Sequence, residues 1–194
     1  MKKILLTVST AFSLISAQAA VFQYTVSLDG PSEPTISPGT GSGTVDYDDV
    51  AHTLALQVTF SGLITTNGAG TTASHIHAPT VVPLSGTAGV ATTTPSFVGF
   101  PLGVFNGSYS DTLDLTAAGS YNPAYVTANG GTTAGAEAAL AAALAGGQAY
   151  WNIHSAAFPG GEIRGFIVPV PEPSTLALLG LGAGAFVWRL RRKA

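Results

Sequence analysis

Residues 147–167 read GQAYWNIHSAAFPGGEIRGFI, and the fold class turns on them. Around an Ala/Phe/Pro/Gly turn, AYWNIHS (149–155) and GEIRGFIVPV (161–170) are short runs of aromatic, β-branched and polar residues, the pattern of two strands joined by a tight connection. Residues two apart on an extended strand share a face, so Glu162 and Arg164 are expected side by side on the last strand.

The same texture continues upstream. VFQYTVSL (21–28) runs into a turn at Asp29-Gly30-Pro31. GTVDYD (43–48) and TLALQVTFSGL (53–63) predict a hairpin about Asp48-Asp49, with Leu54, Leu56, Val58 and Phe60 on one face. SHIHAP (74–79) begins another strand and SYSDTLDLT (108–116) a further one. From Thr80 to Ser108, rising Gly, Pro, Thr and Ser content predicts loops or short edge strands. One segment departs from the pattern: TAGAEAALAAALAGG (133–147) is alanine-rich, carries Leu140 and Leu144 at i, i+4, and stops at Gly146-Gly147, which predicts a helix. About seven strands and one short helix predict an all-β, Greek-key-like antiparallel β-sandwich over residues 20–168. No internal repeat or linker divides it.

Charge is segregated along the chain. Of seven basic residues, Lys2, Lys3, Arg189, Arg191, Arg192 and Lys193 lie at the ends, leaving nine acids and Arg164 alone between residues 20 and 170. Such a surface repels nucleic acid, which is excluded as a partner. With no cysteine in the chain, disulfides, thiolate metal sites and cysteine nucleophiles are excluded as well.

The first 19 residues combine Lys2-Lys3, an apolar run from Ile4 to Ile15 and Ala17-Gln18-Ala19, the form of a signal peptide removed by signal peptidase after export by Sec. The apolar run is shorter than the roughly 20 residues of a membrane span. At the other end, residues 169–194 hold Pro171-Glu172-Pro173, an apolar stretch expected as a transmembrane helix over 175–188, and the basic stop Arg189, Arg191, Arg192 and Lys193. Gly180, Gly182 and Gly184 weaken that short helix, and the bases hold its end in the cytoplasm under the positive-inside rule. A permanent single-span anchor and a sorting tag that is cut off both fit this composition.

Histidine carries the sharpest chemical signal. His75 and His77 share one strand face, and His154 lies on another strand, so three imidazoles could form a nitrogen site for copper or zinc. The competing reading is structural: the histidines are satisfied by backbone carbonyls or Glu162, in a polar cluster of Glu162, Arg164 and Asn152. His52 is expected to be solvent-exposed. Asp46, Asp48 and Asp49 read as a solvated acidic turn rather than a calcium loop, because the later glutamate of an EF-hand is missing. No G-x-S-x-G elbow, H-E-x-x-H or phosphate loop occurs, and no serine or threonine sits beside a recognisable base, so there are no candidate catalytic residues.

YDDVAHTLALQVTFSGL, ASHIHAP, GTAGV and above all GQAYWNIHSAAFPGGEIRGFI resemble the CHRD domain over about Val21 to Val168. The resemblance implies an all-β extracellular module without an established enzymatic activity or cofactor. The H-x-H strand is also similar to the Cu/Zn superoxide dismutase family, a sandwich with copper-binding histidines on neighbouring strands, although that family's remaining ligands, disulfide cysteines and electrostatic-loop arginine have no counterpart here. VPEPSTLALLGLGAGAFVWRLRRKA resembles a PEP-CTERM sorting signal. That likeness implies a transient inner-membrane intermediate and cutting by an exosortase near Pro171-Glu172-Pro173. Delivery then follows to the cell surface or extracellular matrix of a Gram-negative bacterium, among exopolysaccharide and matrix proteins. The expectation is therefore a non-enzymatic surface or matrix protein, with a histidine-based copper or zinc protein as the alternative.

Overall fold

A computed structural model describes residues 21–65 and 70–171. The signal peptide, the expected helix 175–188 and the basic stop lie outside the described residues, as do Glu172 and Pro173 of the sorting triplet. Among the described residues, no helix is long and apolar enough to cross a membrane.

Seven strands form one antiparallel sheet: β1 (Val21–Asp29), β2 (Thr40–Asp48), β3 (Thr53–Ser61), β4 (Thr71–His77), β5 (Gly107–Asp114), β6 (Tyr150–Ser155) and β7 (Ile163–Pro169). Their order is β4-β6-β7-β1-β2-β3-β5. The all-β expectation holds, since this curled sheet is consistent with a β-sandwich. Alternation along the strands sets the core: Tyr24, Val26 and Leu28 of β1, Val45 and Tyr47 of β2, and Leu54, Leu56, Val58 and Phe60 of β3 all point inward. The β2–β3 hairpin turns at Asp48, whose Oδ1 accepts from the backbone N–H groups of Val50 and Ala51.

Several boundaries shift by a few residues from expectation, and two short helical segments are added. Strand β4 starts at Thr71 rather than Ser74, because Thr71 is clamped by the loop beyond it: its N–H donates to Val104 and its carbonyl accepts from Gly103. Besides the expected helix α2 (Thr133–Ala145), there is a one-turn 3-10 segment (Ala118–Ser120) and a short helix α1 (Pro123–Ala128). Helix α1 is only six residues long, too short to show periodicity. Its sole sequence signal is the Asn122 cap, whose side chain accepts from the Ala124 N–H, followed by Pro123 at the first helical position. Helix α2 is capped by Thr132, whose hydroxyl accepts from the Gly135 N–H, and it buries Leu140 and Leu144 as their spacing predicts.

Residues 78–106 form no named strand, in line with the loop-rich composition. They span the two ends of the strand order with aromatic residues. Phe100 stacks on Phe60 at 5.6 Å, Phe97 stacks on Tyr109 of β5 at 5.7 Å, and Phe97 also meets Trp151 of β6 edge-on at 5.6 Å. Trp151 is fully buried and donates its indole N–H to Ser74 Oγ at 2.8 Å, so the largest side chain of the core leaves no polar atom unpaired.

His52 is solvent-exposed as expected, and its Nδ1 also lies 2.9 and 3.0 Å from the two carboxylate oxygens of Glu137, joining the β2–β3 turn to α2. The same carboxylate accepts from the Tyr47 hydroxyl at 3.0 Å. The hydrogen bond and the charge of Glu137 raise the His52 pKa. A raised histidine pKa contributes stability that is complete below the unfolded value and is lost as pH rises through the folded one. An NMR pH titration of the ring should therefore give a His52 midpoint above the ordinary value of about 6.5. Glu137→Gln should bring it back down, and an unchanged midpoint would contradict the pairing.

The last strand is held close against β1. A β-carbon on Gly165 would collide with the Ser27 carbonyl, which is backbone and cannot swing aside. Gly165→Ala should cost at least about 2 kcal/mol in urea unfolding through overpacking. A β-carbon at Gly119 meets nothing within 4 Å, and Gly119→Ala should stay within about 0.5 kcal/mol of the parent.

Candidate metal centre

Strand β6 is buried along its whole length, so both of its faces are covered. Trp151 and Ile153 enter the core, and alternation sends Tyr150, Asn152 and His154 to the opposite face. Pairing with β4 sets His75 opposite Asn152, His77 opposite Tyr150 and Ala73 opposite His154. Pairing with β7 adds Arg164 opposite Asn152 and Phe166 opposite Tyr150. One face of three adjacent strands thus collects the chemistry-bearing side chains.

The structure brings His75, His77 and His154 together, with one ligand atom from each lying within 4.8 Å of the others. His75 and His154 are buried, and His77 is partly so. Each ring has its Nδ1 at a backbone carbonyl: His75 at Pro95 (3.1 Å), His77 at Ala88 (2.8 Å) and His154 at Pro159 (2.9 Å). A carbonyl only accepts, so these neighbours place the proton on Nδ1 and leave each Nε2 with a lone pair. The three lone pairs converge. His75 Nε2 and His154 Nε2 lie 2.9 Å apart, and His77 Nε2 is buried with no hydrogen-bond partner.

Adding a proton does not resolve this arrangement at neutral pH. Burial, followed by the proximity of His77 and His154, pushes His75 down to about 3. Burial also lowers His77 to about 4 and depresses His154. All three rings are neutral at pH 7, and two acceptors face each other at hydrogen-bond distance with no donor between them. A cation satisfies all three at once. Metal–nitrogen bonds of about 2.0–2.1 Å bring tetrahedral nitrogen donors to about 3.4 Å apart, so small ring movements would suffice. The Nδ1–H bonds to carbonyls are the outer-shell contacts that hold metal-ligating imidazoles in one tautomer and orientation.

The remaining expected residues part company. Glu162 turns away from Arg164 and from the histidines: its Oε1 accepts from the Ser37 hydroxyl and from the Ile64 N–H, both at 2.6 Å. Arg164 pairs instead with Glu33, Nε to Oε2 at 3.1 Å, and donates to the Ser32 carbonyl. Asn152 joins this pair by a side-chain hydrogen bond to Glu33. A side chain on Gly161 would strike the same group, its β-carbon meeting Asn152 Nδ2 at 2.5 Å and Glu33 Oε1 at 2.7 Å. Pro171 is exposed at the end of the described residues.

Two contributors escape a reading of the sequence. Tyr150 stacks on His77 at 4.7 Å and 6°, its hydroxyl meets the Ala88 carbonyl at 3.4 Å, and Arg164 lies over its ring at 4.9 Å. Strand alternation through AYWNIHS already places Tyr150 with Asn152 and His154. Glu33 has no such signal, because only the β1–β7 pairing of Asp29 with Arg164 carries its turn to this face.

No curated protein and no solved structure matches the chain. Two family models do. A PEP-CTERM protein-sorting motif spans residues 169–193, which implies an exported protein that an exosortase processes for the cell surface. The CHRD domain model covers residues 22–167, from the first strand into the last, and the chain is accordingly a member of the CHRD domain family.

Proposed function

We propose that the protein is a non-enzymatic surface or matrix module that carries a copper or zinc ion on His75, His77 and His154. The observation that carries this reading is the set of three convergent Nε2 lone pairs, one of them buried and unpartnered. A purely structural cluster would pair those atoms with donors; here each ring's only donor is spent on a carbonyl. Glu162, the acid in the structural reading, is engaged elsewhere. Nucleophile-and-base chemistry has no support, since among the described residues no hydroxyl group hydrogen-bonds to any of the three rings.

The full-length chain purified in detergent should hold about one copper or zinc ion per molecule by elemental analysis. A triple change of His75, His77 and His154 to alanine should abolish it. Because an ion that binds only the folded state stabilises it by about 2.7 kcal/mol at a hundredfold excess over Kd, chelator should lower the Tm of the parent and not of the triple variant. Absence of stoichiometric metal, together with a Tm indifferent to chelator, would sink the metal reading.

We further propose that the C-terminal segment is a tag and not an anchor, cut near Pro171-Glu172-Pro173 so that the acidic domain works without its basic tail, among exopolysaccharide and matrix proteins. The sorting motif supports this, as does the position of the triplet immediately after β7. Mass spectrometry of the mature pool should find chains ending near this triplet; retention of Arg191 to Ala194 would show an anchor.

A further inference from the structure

We infer that the ion this site is built for is monovalent copper, Cu(I), in preference to zinc. The inference rests on the three-histidine reading above and adds to it the charge and identity of the ion. Three features of the surroundings carry it.

The first is the donor set. Among the described residues, the ligand group consists of three imidazoles and includes no carboxylate or thiolate. Every donor is neutral, so an ion enters with its charge uncompensated by its ligands. Glu33, the acid on this face, is already paired with Arg164 and bonded by Asn152.

The second is burial. His75 is 6% exposed and His154 8% exposed, so the ion gives up most of its water. The cost of moving an ion into a low-dielectric interior rises with the square of its charge, making an uncompensated divalent ion about four times as costly as a monovalent one. A guanidinium stands close by as well. Arg164 and His77 both pack on the Tyr150 ring, and the charge of the domain's lone arginine reaches His77, so it adds positive potential at the site. That repulsion doubles for a divalent ion.

The third is coordination number. Zinc is four-coordinate, so where the protein supplies three ligands it must keep a water in the fourth position, which burial of His75 and His154 disfavours. Three nitrogen donors complete a trigonal Cu(I) centre without a further ligand.

The test is paired competition on the full-length protein in detergent. Cu(I) is titrated anaerobically against the chromophoric chelator bicinchoninate, and Zn(II) is titrated against a colorimetric zinc chelator at the same pH. One Cu(I) per chain, bound on the order of a hundredfold more tightly than Zn(II), is expected from the difference in charge. Zinc binding as tight as or tighter than Cu(I) overturns the inference and leaves the three-histidine site standing. Binding of neither ion overturns the site itself. Redox titration of the copper-loaded protein gives a second, independent reading: the Cu(II)/Cu(I) couple should lie above that of the aqueous ion, and a couple below it would mean that the site favours Cu(II).

Discussion

Each of the three imidazoles spends its single proton on a backbone carbonyl, and the character of the site follows from that constraint. Once Nδ1 is committed, Nε2 can only accept, and strand geometry turns all three acceptors toward one point. The carbonyls come from places far apart in sequence. Ala88 and Pro95 belong to the long connection after β4, and Pro159 belongs to the β6–β7 turn. The site is therefore a product of loop placement as much as of strand pairing. It can hold its tautomers only while those loops are seated, and Phe97 and Phe100 seat the connection after β4 by packing against β3, β5 and β6.

Why this sheet needs such a face at all is a matter of burial. A central strand covered on both sides ordinarily reads as a continuous apolar run. Strand β6 is instead apolar toward the core and polar on its other side, so its second face must be covered by groups that satisfy Asn152 and His154. The turn after β1 covers Asn152 with the Glu33–Arg164 ion pair, although Asn152 Oδ1 keeps no hydrogen-bond partner. His75, His77 and the Pro159 carbonyl do it for His154 only in part, because His75 offers another acceptor and not a donor. Between neighbouring positions on one strand, a cluster held by an ion pair gives way to one of converging acceptors.

The sequence made strand alternation legible, and with it the core face of β1–β3, the hairpin at Asp48, helix α2 and the grouping of His75, His77 and His154 as candidates. Each of these depends on residues close in sequence or on a period of two. What stayed hidden depends on register between distant strands. The pairing of Asp29 with Arg164 diverts the arginine to Glu33, and the seating of Ser37 and Ile64 draws Glu162 away. The i, i+2 spacing of Glu162 and Arg164 placed them side by side on the last strand, but Glu162 lies just outside β7 and so escapes strand alternation. Helix α1 was invisible for a different reason, since one turn carries no periodicity.

Long-range and local electrostatics oppose each other in this domain, and the opposition is useful. Nine acids against one arginine between residues 20 and 170 give the module a negative field that draws cations of any charge toward its surface. Screening confines that attraction to about 8 Å at physiological ionic strength, so it raises the local supply of ions without choosing among them. On the proposed reading, selection would fall to the interior, where the acids are absent from the candidate ligand group and the domain's one arginine stands nearby. An acidic ligand set would bind divalent ions readily and lose that discrimination. On the Cu(I) reading proposed above, negative charge outside and neutral nitrogen inside would let the same small module gather cations broadly and retain them by charge.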